Sequence, residues 1–69
     1  MDKRQMTLML SEREMTILDE LAAERGLSKT ALLRQALRLY QSVTVRISAG
    51  EKLFVEHPET KEKAELVVL

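Results

Sequence analysis

Residues 5–14 read QMTLMLSERE, and their pattern changes abruptly at Ser11. Up to that residue apolar side chains recur at every second position, which is typical of a β-strand. One side of the strand would carry Met6, Leu8 and Leu10, and the other side Gln5, Thr7 and Met9. This spacing predicts a strand over residues 5–10. So short a strand is not stable alone, and no similar run follows after a short turn, so its partner must lie elsewhere.

A helix is predicted immediately after Ser11. Ser11 and Glu14 have the spacing of a capping box, in which each side chain accepts a hydrogen bond from the backbone N–H of the other residue. Gly26 suits the left-handed position that ends a helix. The first helix is therefore predicted over residues 12–25. Its apolar side chains are Met15, Ile17, Leu18, Leu21 and Ala22.

A second helix is expected almost at once, because Ser28 is another N-cap candidate and helix formers follow it. We predict this helix over residues 29–49, with Gly50 as its cap. Residues 43–49 also have high β propensity, so a strand is the alternative there. The apolar residues of the helix cover more than half of its circumference, which predicts more than one packing neighbour.

Residues 50–69 form a second predicted region, after a first domain at residues 1–49. The runs 53–56 and 65–69 are rich in β formers and flank Pro58, which suits the second position of a type I turn. This pattern favours a C-terminal β-hairpin. The alternative is a flexible, net acidic tail that becomes ordered only on a partner.

The composition excludes several classes of protein. A chain of 69 residues without cysteine has no disulfide or thiolate metal site to stabilise a small core, so association with a second copy is expected. One histidine, His57, among scattered Glu residues is weak support for a metal site, and enzymes need convergent titratable groups. We therefore expect no enzymatic activity, no metal and no cofactor. Without a membrane span of roughly 20 apolar residues or a signal-peptide core, we expect a cytoplasmic protein without a membrane partner.

The charges are segregated along the chain, although 11 basic and 11 acidic residues give a formal net charge of zero. Residues 11–25 carry five acidic and two basic side chains, whereas residues 28–49 carry four basic side chains and no acidic one. Two ordinary solvated helix faces would explain this distribution. A basic surface that binds a polyanion would also explain it.

The order of strand, helix and helix, together with residues 6–12 (MTLMLSE) and 26–37 (GLSKTALLRQAL), resembles the CopG/Arc/MetJ-like branch of the ribbon-helix-helix family. The resemblance covers about residues 3–43. It implies a mainly α fold and an intertwined homodimer, in which two N-terminal strands form an intermolecular antiparallel ribbon that enters the major groove of double-stranded DNA. The implied dimer core consists of Met6, Leu8, Leu10, Leu18, Leu21, Leu33, Ala36, Leu37 and Tyr40.

The resemblance also assigns base contacts to the outward side of the ribbon. Gln5 can pair with the N6 and N7 atoms of adenine, and Thr7 can offer its hydroxyl or its methyl group. Met9 departs from the polar side chain that relatives more often carry. It therefore either contacts a thymine methyl group or reads no base.

Phosphate contacts are expected from the start of the second helix and from the N-terminal arm. The helix start combines free backbone N–H groups, the positive end of the helix dipole and one lysine charge. The expected contacts are Lys3, Arg4, Ser28, Lys29 and Thr30. Arg34 and Arg38 have two interpretations, phosphate contacts or salt bridges to acidic residues of the first helix, and we favour the salt bridges.

The leading hypothesis is a dimeric, sequence-preferring DNA-binding protein of the nucleoid, such as a repressor, another transcriptional regulator or a DNA-organising protein. The alternative is an antitoxin whose tail, residues 51–69, binds a toxin by adding a strand to a sheet edge. A third hypothesis is an assembly module without nucleic acid. The tail also offers a route to tetramers or larger assemblies.

Overall fold

The computed structural model describes residues 3–67, which form two helices and a small antiparallel sheet. The elements are α1 (Glu12–Arg25), α2 (Lys29–Ser48), β1 (Phe54–Glu56) and β2 (Lys63–Glu65). The fold is therefore mainly α, as predicted. The chain divides into two compact units, Met1–Arg34 and Gln35–Leu69, and the boundary lies within α2.

α1 begins and ends where the sequence predicted. The Ser11 hydroxyl accepts a hydrogen bond from the Glu14 N–H at 3.1 Å, and the Glu14 carboxylate accepts one from the Ser11 N–H at 3.0 Å. At the other end Gly26 has a φ of 65°, in the left-handed region. The N–H groups of Gly26 and Leu27 donate to carbonyls of the last helical turn at 3.2 and 2.9 Å. This pair of bonds is a Schellman motif, which satisfies carbonyls that the helix itself leaves unpaired.

α2 continues as a helix through the β-branched residues after Tyr40 and ends at Ser48, one residue before the predicted end. The helical alternative for residues 43–48 is thus confirmed. Gly50 has a φ of 93°. The N–H groups of Gly50 and Glu51 donate to carbonyls of the last turn at 3.0 and 3.1 Å, so α2 also ends in a Schellman motif.

β1 and β2 form a hairpin after this cap. The paired residues are Phe54 with Glu65, Val55 with Ala64, and Glu56 with Lys63. β2 lies earlier than the predicted run 65–69, of which residues 68 and 69 lie outside the described part of the chain. The turn between the strands closes with a 2.8 Å bond from the Lys61 N–H to the His57 carbonyl, so it is one residue longer than a type I turn at Pro58.

The apolar side chains of a single chain are largely uncovered. Ala22, at 5% exposure, is the only buried hydrophobic residue among residues 3–67. Most members of the predicted dimer core are exposed, including Met6 at 85% and Leu37 at 70%. Leu10 and Leu18 are half-buried. Because a folded domain needs a buried apolar core, these surfaces are available for a partner.

Residues 3–10 have no regular secondary structure within one chain. The strand predicted over residues 5–10 was expected to pair with a second copy, so the strand and the ribbon stay predictions. The division into domains at residues 49 and 50 also stays a prediction.

Candidate nucleic-acid interface

The segment before α1 presents its polar groups to solvent. Gln5, Thr7 and Met9 are exposed, and Met9 reaches 92%. Lys3 and Arg4 are exposed as well. None of the hydrogen bonds or ion pairs within residues 3–67 involves a residue of this segment before Ser11. The three predicted base contacts therefore lie on one short stretch whose side chains are free to bind.

The capping box fixes the point at which this segment ends. Ser11 is extended, with φ −65° and ψ 164°, and the helix begins at the next residue. The pKa of Glu14 is lowered because its carboxylate accepts hydrogen bonds from the Ser11 backbone N–H and, to a smaller extent, from the Ser11 side chain. Glu14 is thus ionised at neutral pH. The positive end of the α1 dipole also stabilises its negative charge.

The start of α2 has the features of an anion-binding helix terminus. The Ser28 hydroxyl accepts from the Ala31 N–H at 3.1 Å, and the Ser28 carbonyl accepts from the Leu32 N–H at 3.0 Å. The N–H groups of Lys29 and Thr30 donate to no group within residues 3–67. The first turn contains no acidic residue. A phosphate oxygen there would receive backbone hydrogen bonds and the favourable helix dipole.

Lys29 has a partner that the sequence analysis missed. Its Nζ lies 2.8 Å from Asp19 Oδ1, and both side chains are more than half exposed. An exposed ion pair of this kind contributes only about 0–1 kcal/mol, so Lys29 can exchange the carboxylate for a phosphate at low cost. The pair joins α1 to the start of α2 across the intervening turn, and no spacing rule within one helix would have revealed it.

The salt bridges that we favoured for Arg34 and Arg38 from the sequence stay a prediction for the dimer. The ion pairs of one chain within residues 3–67 are Lys29 with Asp19 and Arg46 with Glu51. Both arginines are exposed, whereas Leu32 is half-buried. At about 100° per residue, the two arginines lie roughly 120–160° around the helix from Leu32, on the solvated side.

Within residues 3–67 no group of three or more His, Cys, Asp or Glu side chains could hold a metal ion. Neither helix in that range has the length and apolar character needed to cross a bilayer.

The comparison with protein families identifies the N-terminal part of the chain. The model of the family described as "Ribbon-helix-helix protein, copG family" matches residues 5–40, just over half of the sequence. The match includes residues 5–10 of the segment before Ser11, all of α1 and the first part of α2. No curated protein and no solved structure matches the chain. DNA binding by dimers is the general function of this family. The chain belongs to the CopG family of ribbon-helix-helix proteins.

Proposed function

We propose that the protein is a dimeric, sequence-preferring DNA-binding regulator that inserts an intermolecular two-stranded ribbon into the major groove. The observation that carries this proposal is the exposure of apolar side chains directly before α1. Met6 is 85% exposed, and Leu8 is exposed by about half of its surface. Exposed apolar side chains gain free energy when they leave water. Pairing of two 5–10 segments over a shared core would bury this side of each strand.

The same pairing would turn the other side of the ribbon outward. Successive side chains of a strand lie on opposite sides, so burial of Met6 and Leu8 leaves Gln5, Thr7 and Met9 on the surface that meets DNA. Gln5 can form two hydrogen bonds with adenine, and Thr7 can contact a base edge with its hydroxyl. Met9 has no polar atom beyond its thioether, so it either makes an apolar contact with a thymine methyl group or reads no base.

The start of α2 would fix the position of the ribbon on the duplex. Its free N–H groups and Lys29 are suited to a backbone phosphate, which carries position but no sequence information. Lys3 and Arg4 are proposed to contact flanking phosphates. Since the chain has a net charge of zero, its affinity for DNA depends on these local groups and not on an overall attraction.

Selection of bound duplexes from a random library, followed by gel shifts, tests the proposal. For the selected site, we expect affinity to fall steeply between about 50 and 200 mM salt. Gln5→Ala and Thr7→Ala should each reduce the preference for this site over unrelated DNA by about 1–3 kcal/mol. Lys29→Ala is the matched control for a phosphate contact and should weaken all sequences about equally. Absence of wild-type binding at low salt would refute the proposal.

An antitoxin is the second candidate, and the exposed hairpin favours it. Phe54 and Val55 of β1 are both more than half exposed, and β1 pairs with β2 on one side, which leaves its other edge to accept a partner strand. Limited proteolysis of the purified full chain distinguishes the two candidates. Rapid cleavage within residues 51–67, suppressed by the product of a neighbouring gene, would support the antitoxin. Protection of this segment in the purified protein would support the regulator with a built-in hairpin.

A further inference from the structure

The C-terminal unit contains an apolar groove of about 320 Å³, part of which lies beyond the family-matched residues 5–40. Its lining is entirely apolar and consists of Ala36, Leu39, Tyr40 and Val43 from α2 with Leu53 and Leu66 from the hairpin. The Leu66 N–H donates to the Leu53 carbonyl at 2.8 Å, which holds these two residues side by side. Leu39 is 67% exposed and Leu66 is 50% exposed, so the groove is open to solvent.

We propose that a second copy of this chain covers the groove, so that one dimer interface extends from the family-matched segment to the hairpin. The proposal rests on the dimer of the proposed function. Its first support is continuity, because Ala36 and Tyr40 line the groove and also belong to the dimer core that the family resemblance implies. A partner that covers these two residues reaches Leu39 and Val43 on the same side of α2.

The second support is the hairpin's own need for a permanent neighbour. Its strands have three residues each, and all six are exposed. A two-stranded hairpin is at best marginally stable in water, so it requires packing that is present whenever the chain is folded. A second copy satisfies this requirement, since a twofold interface brings the same apolar surface to both chains. The absence of charged lining also fits a permanent interface, because obligate dimers have the more hydrophobic contacts.

Sedimentation equilibrium of the full chain, with substitutions on each wall of the groove, tests this proposal. We expect Leu39→Asn on α2 and Leu66→Asn on the hairpin to raise the dimer dissociation constant about tenfold or more, because each removes a leucine from the interface. Phe54→Asn is the matched control. Phe54 is similarly exposed but lies on the opposite face of the hairpin from Leu53, so its substitution should change the constant by less than about twofold.

Circular dichroism at high protein concentration checks that each variant is folded, and Leu39→Ala replaces Leu39→Asn if the helix is lost. Unchanged dissociation constants for both groove variants would overturn the proposal. The groove would then be covered by something other than a second copy, such as another protein or the last residues of the same chain. A wild type of four chains that either variant reduces to two would also overturn it, because the groove would then join dimers. Gel shifts measure DNA binding independently of these dissociation constants. A wild type that dimerises through the groove without binding DNA contradicts the proposed function alone.

Discussion

Among single residues, Glu14 couples the start of α1 to pH. Its carboxylate accepts the Ser11 N–H at 3.0 Å, and this backbone bond is the main reason why its pKa is lowered from 4.5. A group whose pKa is lower in the folded state stabilises that state above its unfolded pKa. This stabilisation is therefore fully present at neutral pH. It is lost as the pH falls below 4.5 and through the lowered pKa of the folded state.

We predict that Glu14→Gln removes this part of the pH dependence, because glutamine can still accept the Ser11 N–H but does not titrate. Urea unfolding at fixed protein concentration, from about pH 7 to pH 3, measures the effect. The wild type should be more stable than the variant at neutral pH, and the difference should disappear in acid. All other carboxylates are common to both proteins. If the unfolding free energies of the two proteins differ by the same amount at every pH, the Glu14 carboxylate does not contribute to the pH dependence as described.

The exposed ion pair between Lys29 and Asp19 competes with a phosphate for the Lys29 charge. Asp19→Asn removes the charge that lies 2.8 Å from Lys29. Unfolding free energy should change by less than about 1 kcal/mol, because the pair is exposed. DNA affinity should rise, and more at about 50 mM than at 200 mM salt, since the released lysine can neutralise a phosphate. The gain should vanish in a Lys29→Ala background. A gain of the same size in both backgrounds would mean that Asp19 acts only through general repulsion.

At the scale of elements, the helices were predictable because their ends depend on local chemistry. Ser11 and Gly26 mark α1, and Gly50 marks the end of α2. Residues 43–48, four of which are β-branched, left helix and strand open, since a short run of this kind fits both periods. The continuous helix up to the Gly50 cap decides the question. The register of the hairpin and its longer turn depend on contacts between distant residues. Local spacing contains no information about these contacts.

The left-handed conformation of Gly26 at the end of α1 limits which residues this position tolerates. Gly26 has a φ of 65°, and an added Cβ would meet nothing within 4 Å, so its substitution costs backbone strain without a steric clash. Gly26→Ala should reduce the unfolding free energy by about 1–2 kcal/mol. Gly26→Asn should cost less, because asparagine enters the left-handed region more readily. Urea unfolding at one protein concentration gives both values. Equal losses for Ala and Asn would indicate that the space around the cap, and not φ, limits the substitution.

For the whole molecule, the sequence predicted association with a second copy, and it did not predict a buried core within one chain. The short, cysteine-free chain, the unpaired strand and the wide apolar face of α2 all led to this expectation. Within residues 3–67 the structure of one chain buries a single hydrophobic residue, Ala22. The site residues could be placed on the ribbon and the α2 start only through the resemblance. Asp19 escaped prediction because its contact joins two helices.

We therefore predict that folding and association of this chain are coupled. If the native state is an obligate dimer, the melting temperature rises with protein concentration. Over a hundredfold range, such as about 1–100 μM, the gain of about 2.7 kcal/mol should raise it by roughly 5–10 °C. Leu8→Asn on the inward side of the predicted ribbon should lower the melting temperature at every concentration. Met9→Asn, its outward neighbour, should not, because only one side of a paired strand is buried. A melting temperature independent of concentration, or equal effects of the two substitutions, would contradict the two-chain ribbon.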